Sequence, residues 1–319
     1  MTQPEKLAVE HQVSVAAPAA EVFALVRDVE RWPQFFTSII HVDRRLEPDA
    51  PEGTDTVRMW GVRGHASVRY WVAHRRVDEA GLRIEFDNEP PPPGAKASTG
   101  QWTVEPDGTD ACVVTLRHQI DPHDANGHTH VAVTREFGRH TQLQLDELKS
   151  VAERRKELEE LVLSFEDPLF VSGSVEDAWA ILYEAGKWPE RIPHVSRIEL
   201  TEDGPDVQFF DMDTATPDGR EHTTRSVRVC FPHDLIVYKQ IQLPPLLEAH
   251  TGHWRFVETP EGLIASARHT VTIKPSALHL LGPDTTVADA RRYARRVLSA
   301  NSMKNLQIAK AYAEERAHA

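Results

Sequence analysis

The segment VAAPAAEVFALVRDVERWPQFFTSIIHVDR (residues 15–44) returns in diverged form as VSGSVEDAWAILYEAGKWPERIPHVSRIEL (residues 171–200). The same interval separates Val15 from Val171 and Trp32-Pro33 from Trp188-Pro189. In this register Phe23 aligns with Trp179 and Val26 with Leu182. Farther on, Gly100-Gln101-Trp102 matches Gly252-His253-Trp254, and Arg117-His118 matches Arg268-His269, with the interval slipping by a few residues as loop insertions require. A period this long is that of a whole domain, not of a solenoid repeat. The chain of 319 residues is therefore expected to hold two tandem copies, residues 1–157 and 158–319.

Each copy carries the same order of elements. Leu7 to Val15 alternates as a strand, and Pro18 suits a first helical turn, where its missing N–H costs nothing. Val22, Phe23, Val26 and Val29 share one helical face, and the helix is expected to stop before Trp32-Pro33. Six runs with strand character follow, at 39–46, 56–62, 67–77, 82–86, 98–104 and 112–120, punctuated by turn signals such as Asp107-Gly108. A helix from about His130 to Leu161 closes the copy. The second copy repeats this with a strand at 161–171, a helix at Val175–Tyr183, strands to about Ile273 and a helix from Thr286 to about Glu315. The fold class is α+β: a curved antiparallel sheet wrapped around one long helix in each copy, with an internal cavity expected between them.

Bulk properties narrow the function. Only Cys112 and Cys230 occur, in different copies, so a disulfide framework is not expected and a reducing cytoplasm fits. No apolar run approaches a membrane span, and the N-terminus lacks a secretion signal. A net charge of −13 argues against nucleic acid as a partner. No Gly-rich nucleotide loop, CxxC pair, GxSxG elbow or HExxH motif is present, so no cofactor and no metal are expected. The run Asp121-Pro-His123-Asp124…His128-Thr-His130 has no standard zinc spacing and reads as a solvated loop.

Trp32-Pro33-Gln34-Phe35-Phe36 and Tyr70-Trp71-Val72-Ala73-His74-Arg75, with Trp102 downstream, resemble the polyketide aromatase/cyclases of type II polyketide synthases, which have a helix-grip, START/Bet v 1-like fold. The tandem arrangement resembles the di-domain subclass, and the match extends over essentially the whole chain. The resemblance implies first-ring aldol cyclisation and lyase-type dehydration of a poly-β-ketone. The chain would be tethered to an acyl carrier protein and reduced beforehand by a ketoreductase. Single-domain relatives carry an aromatic residue shortly after the WPxxF turn; Ile39 and His194-Val195 stand there in the two copies.

An aldol closure needs a shaped cavity, a donor to polarise the attacked ketone and a proton carrier. The resemblance places the donor at Arg75, with Arg76 beside it as the alternative; counting back from Trp254 to the same position in the second copy gives Arg228, with Thr224 and Ser226 on its strand face. His118 and His269, at matched positions on the last strand, are the candidate proton carriers, against the alternative of satisfied strand histidines. Trp71, Trp102, Trp254, Phe36 and the helical Asn301 are candidate substrate contacts, the aromatics otherwise serving as core. Arg291, Arg292, Arg295 and Arg296 are a candidate docking patch for an acidic carrier protein, or else a solvated helix face. A non-catalytic carrier of a hydrophobic metabolite is the competing reading. Arginine inside the cavity would argue against it. The first copy has Trp71 and Ala73 where the second has Thr224 and Ser226, so the two interiors are expected to differ in role.

Overall fold

The structure, a computed structural model, describes residues 6–46, 48, 50–123, 127–204, 206–215 and 221–318. The chain divides into two compact units: Met1–Gly61 with Arg69–Arg155, and Lys156–Ala319 with Val62–Val68.

In the first domain strand β1 (Leu7–Val15) leads into helix α1 (Ala19–Arg27) and, through a single 3-10 turn, into the four-residue helix α2 (Trp32–Phe35). Strands β2 (Ile39–Arg45), β3 (Thr54–Arg63), β4 (Ser67–Asp78), β5 (Arg83–Glu89), β6 (Ala95–Pro106) and β7 (Cys112–Pro122) precede the long helix α3 (Gly127–Glu153) and the short α4 (Arg155–Leu161). The second domain repeats the order as β8 (Val162–Val171), α5 (Val175–Tyr183), α6 (Trp188–Arg191), β9 (Val195–Glu202), β10 (Val207–Ala215), β11 (Glu221–Phe231), β12 (Leu235–Gln242), β13 (Leu247–Thr259), β14 (Gly262–Ile273) and α7 (Val287–Ala317). Both sheets have seven strands in one order, β1-β7-β6-β5-β4-β3-β2 and β8-β14-β13-β12-β11-β10-β9. The first strand thus pairs with the last, and the edges of each sheet are its first two strands, β1 and β2 in one and β8 and β9 in the other.

The local reasons differ between the copies. Helix α5 starts at Ser174, whose hydroxyl accepts from Asp177 N at 3.1 Å. Helix α1 has Pro18 at the corresponding cap, one residue before the expected first turn, and only its carbonyl serves, accepting from Glu21 and Val22. The Trp-Pro pair does not merely end a helix. It opens a turn of its own, with Pro33 and Pro189 in the first turn, where no N–H is needed. The indole of Trp32 donates to Leu25 O and that of Trp188 to Ile181 O, both at 3.1 Å, pinning each turn to the helix before it. Both tryptophans are buried, so they are framework. The long helix expected at 130–161 is interrupted at Arg154 and forms two pieces. Helix α7 begins with a reciprocal Thr286–Asp289 capping box.

Apolar burial follows strand alternation. Val57, Met59, Ala73, Ile84, Trp102, Val104, Val114 and Leu116 meet Leu145, Leu148 and Ala152 of α3 in one cluster. Cys230, Ile236, Trp254, Phe256, Ala265 and Ala267 meet Leu306, Ala309 and Ala313 of α7 in another. The small residues on α7 let this helix lie close to its sheet. Among the described residues, no helix is long and apolar enough to cross a membrane.

Candidate functional site

Cross-strand register places the candidate residues in matched rows. Across the first sheet Arg75 pairs with Phe86, Phe86 with Gly100, Gly100 with His118, and His118 with Val9. Across the second, Gln208 pairs with Arg228, Arg228 with Tyr238, Tyr238 with Gly252, Gly252 with His269, and His269 with Phe165. Directly opposed residues share a sheet face, so each row lies on the inner side. The glycine in each row is a demand of space. A Cβ on Gly100 would sit 2.2 Å from the Phe86 ring, and one on Gly252 would sit 2.3 Å from the Tyr238 hydroxyl and 2.2 Å from Arg268 O.

The arginines of the two rows are anchors for the helix that opens each domain. Arg75 is buried and holds Asp55 in a bidentate pair, Nε and Nη2 each at 2.7 Å, while Nη1 donates to Arg27 O at 3.2 Å. Burial opposes the charge on Asp55, but hydrogen bonds from Arg75 and Arg44 outweigh it and hold that carboxyl below its usual range. Arg228 donates from Nε to Gln208 Oε1 at 2.6 Å, from Nη1 to Leu182 O at 2.7 Å and from Nη2 to Tyr183 O. Its guanidinium also lies 5.3 Å from the Trp188 ring and 5.5 Å from Phe210. Both arginines thus bind the last carbonyls of the opening helix, its negative end. The difference is the strand partner, a carboxylate in the first domain and an amide in the second. Arg228 therefore keeps a buried cation on neutral acceptors, and burial lowers its pKa. Arg76, the alternative to Arg75, points outward and pairs with Glu85 at 2.7 Å.

The histidines sit deeper along the rows. His118 is buried between Phe86 and Phe137, with ring centroids at 5.7 and 5.4 Å, and its Nδ1 has no partner among the described residues. Burial alone pushes its pKa down to about 4. His269 stands in a polar cluster. Its Nδ1 lies 2.8 Å from the Tyr238 hydroxyl and 3.0 Å from His250 Nε2, while His250 Nδ1 lies 2.8 Å from Gln240 Oε1. The Nε2 of His269 is buried and without a partner among the described residues. Burial, against a smaller opposing pull from Asp167, lowers its pKa to about 4. His250 is lowered well below the ordinary value by burial and by His269, and burial raises Tyr238. All four groups are consequently neutral near pH 7.

Further buried oxygens without partners among the described residues include Thr224 Oγ1 on β11 and Asn305 Oδ1 on α7 in the second domain and Ser98 Oγ on β6 in the first. Ser226 is buried on the same strand face as Thr224. Asn301 is only half-buried, and the inward asparagine is Asn305, one helical turn on. Trp102, Trp254 and Phe36 are packed in the cores, with Phe36 edge-on to Trp32 at 5.0 Å. Trp71 is half-buried under the Arg69 guanidinium at 4.9 Å. Tyr238, Gln240, His250 and Asn305 were not singled out from the sequence. Strand alternation extended to β12 and β13 would have found the first three.

The cation run on α7 is largely engaged. Arg295 forms a bidentate pair with Asp167 at 2.6 and 2.9 Å and covers the Phe165 ring at 4.1 Å. Arg292 pairs with Asp289, Arg291 donates to Glu160 O, and Arg296 lies over Tyr293 at 5.7 Å. A groove of about 660 Å³ opens in the first domain along β3 to β7, lined by Asp55, His74, Arg75, Arg76, Glu85 and Phe86 among others; no residue of the long helix lines it. Among the described residues no group of three or more His, Cys, Asp or Glu side chains gathers as a metal site. Asp124 and the side chains of His128 and His130 lie outside the described residues.

Comparison with known proteins agrees with this architecture. Residues 6–153 and 171–297 each match a family model described as polyketide cyclase / dehydrase and lipid transport. The chain is 39% identical to the actinorhodin polyketide synthase bifunctional cyclase/dehydratase of Streptomyces coelicolor, covering 98% of this chain and 99% of that one. It is 37% identical to the granaticin counterpart of Streptomyces violaceoruber over 94% and 92%. Among solved structures, the di-domain aromatase/cyclase StfQ of the steffimycin pathway superposes with a TM-score of 0.88 at 49% identity, covering 98% of this chain and all of that one. BexL, of the BE-7585A pathway, gives 0.86 at 36% over 97% and 99%.

Proposed function

Because this chain belongs to the polyketide cyclase / dehydrase family and shares the di-domain aromatase/cyclase architecture, we propose that it closes and aromatises the first ring of a ketoreduced poly-β-ketone delivered by an acyl carrier protein, in the cytoplasm and without a cofactor. Aromatase/cyclase activity follows from the family. The substrate's reduction state, the carrier and the residue roles are our reading, supported chiefly by one observation: the buried, neutral His269 whose Nε2 is buried without a partner among the described residues.

His269 Nε2 takes a proton from a methylene carbon flanked by two ketones, and the C–H electron pair becomes an enolate. The enolate carbon bonds to a second ketone carbon of the same chain. The alkoxide so formed takes the proton back from the imidazolium, which restores the neutral base. Loss of water follows: Nε2 removes a proton from the neighbouring carbon, a C=C bond forms, and the hydroxyl departs with that proton. Thr224, Ser226 and Asn305 are the groups that orient ketone and enol oxygens. Arg228 is the positioning residue that fixes the end of α5 beside this interior, and Arg75 does the same for α1. The first domain, with Phe86 and Ser98 where the second has Tyr238 and His250, holds and shapes the chain.

The test is reconstitution. A minimal type II synthase with its carrier protein, run with and without a ketoreductase, should shift from mixed shunt products to one mono-aromatised product when this protein is added with the ketoreductase. An unchanged shunt profile in both arms would contradict the proposal, and a shift only without the ketoreductase would correct the substrate's reduction state.

A further inference from the structure

The second row on the inner face of the second sheet runs Ser226–Gln240 and His250–Val271, and its two middle members carry the contacts that reach His269. We propose that Gln240 and His250 are positioning residues that lock His269 in a single tautomer, with hydrogen on Nδ1 and a bare lone pair on Nε2. This rests on the reading of His269 as the proton carrier, and it identifies what makes that nitrogen a base and not a donor.

Gln240 Oε1 is a carbonyl oxygen and only accepts, so the 2.8 Å contact requires a hydrogen on His250 Nδ1. A neutral imidazole carries one hydrogen, which leaves His250 Nε2 as an acceptor. The 3.0 Å contact from that nitrogen to His269 Nδ1 then requires the hydrogen to sit on His269 Nδ1. Tyr238 Oη, at 2.8 Å, accepts from the same N–H, while its own hydrogen points to Arg268 O at 3.4 Å. His269 Nε2 is left unprotonated, buried and without a partner among the described residues. The rings are held for this purpose: His269 lies tilted 33° on both His250 and Phe165, with centroids at 5.3 and 5.2 Å. The charged groups facing His269 are Asp167 on β8 and Arg295 on α7, which pair with each other, and His253 on β13 is a further titratable neighbour. Burial keeps both imidazoles neutral, so the chain of single hydrogens is not broken by a second proton.

The first domain supplies a built-in control. Its corresponding row is Ala73–Asn88 followed by Ser98–Ile120, with no histidine, and Phe86 stands in the place of Tyr238. His118 Nδ1 has no partner among the described residues, and Ser98 Oγ likewise. Nothing in that row selects a tautomer for His118.

Full-length protein labelled with 15N-histidine, observed through two-bond 15N–1H couplings, reads the tautomer directly. His269, assigned by loss of its signals in His269→Gln, should show a protonated Nδ1 and an unprotonated Nε2. Gln240→Glu keeps the acceptor and should keep this pattern, whereas Gln240→Leu should release His269 into a mixture. His118, unchanged in both, reports that the fold persists. In the cyclisation assay Gln240→Leu should lower kcat about 10- to 100-fold with KM little changed. A wild-type His269 protonated on Nε2, or a Gln240→Leu spectrum identical to wild type, overturns the inference. Those spectra do not depend on turnover. Loss of the reaction assignment itself would appear instead as normal activity in His269→Gln.

Discussion

Substituting His118 with Phe should abolish a specific part of the acid sensitivity of the first domain. The ring is sandwiched between Phe86 and Phe137, and burial alone lowers its pKa from 6.5 to about 4. The unfolded chain therefore binds more protons than the folded one between those two values. Stability rises with pH across that window and is lost as pH falls through it. Relative to neutral imidazole in both states, protonation of the unfolded form at about pH 5 is favourable by about 2 kcal/mol, and the folded form recovers less than ~0.1 kcal/mol of it. Buried carboxylates such as Asp55 add little here, because they remain charged in both states above about pH 5. Native-state hydrogen exchange of the slowest β6 and β7 amides reads the difference. Between about pH 7 and about pH 5, wild-type protection should fall about 20-fold beyond the intrinsic pH effect. In His118→Phe that part of the fall should vanish. Equal falls in the two proteins would refute the claim that His118 is buried neutral.

Other variants test the anchors and the packing. Asp55→Asn leaves the guanidinium of Arg75 buried without its carboxylate and should destabilise the first domain by about 3 kcal/mol, measured by urea unfolding. Arg228→Lys cannot span Gln208, Leu182 O and Tyr183 O together; loss of about 2 kcal/mol and faster hydrogen exchange at the end of α5 are expected. Gly252→Ala would drive a methyl into the Tyr238 ring, so it should perturb the His269 signals at a distance, whereas Gly108→Ala on an open turn should not.

The fold was legible because the repeat shows which residues must be equivalent, and because two Trp-Pro turns mark the same corner twice. Val175–Tyr183 agrees to the residue with its sequence reading, since Ser174 supplies a cap and Val175, Ala178 and Leu182 bury one stripe. Pro18 fell one place outside α1 because a proline without an N–H is tolerated at the cap as well as in the first turn. The matched histidines were legible for the same reason as the repeat. What sequence could not give was the direction of Arg228. Its carbonyl partners at 182 and 183 lie far away in sequence and meet it only when the helix crosses the sheet. The α7 cations likewise find Asp167 and Glu160 through β8 and its approach, contacts no helical spacing encodes. Tyr238 and His250 lie on β12 and β13, where neither the repeat match that gives His269 nor the alternation along β11 reaches them.

The proposed proton carrier is His269 in the second domain. The most direct measurement is the product profile of His269→Gln beside that of His118→Gln, both confirmed folded by circular dichroism, in the reconstituted synthase with ketoreductase. His269→Gln should lower formation of the mono-aromatised product by a factor on the order of 100 or more and divert the chain to shunt compounds. His118→Gln should make the same product within about a few-fold of the wild-type rate, since shaping a chain without transferring its proton supplies far less of the rate than general-base catalysis does. Wild-type rates from His269→Gln, with His118→Gln inactive, would place the chemistry in the first domain and rule out His269 as the proton carrier.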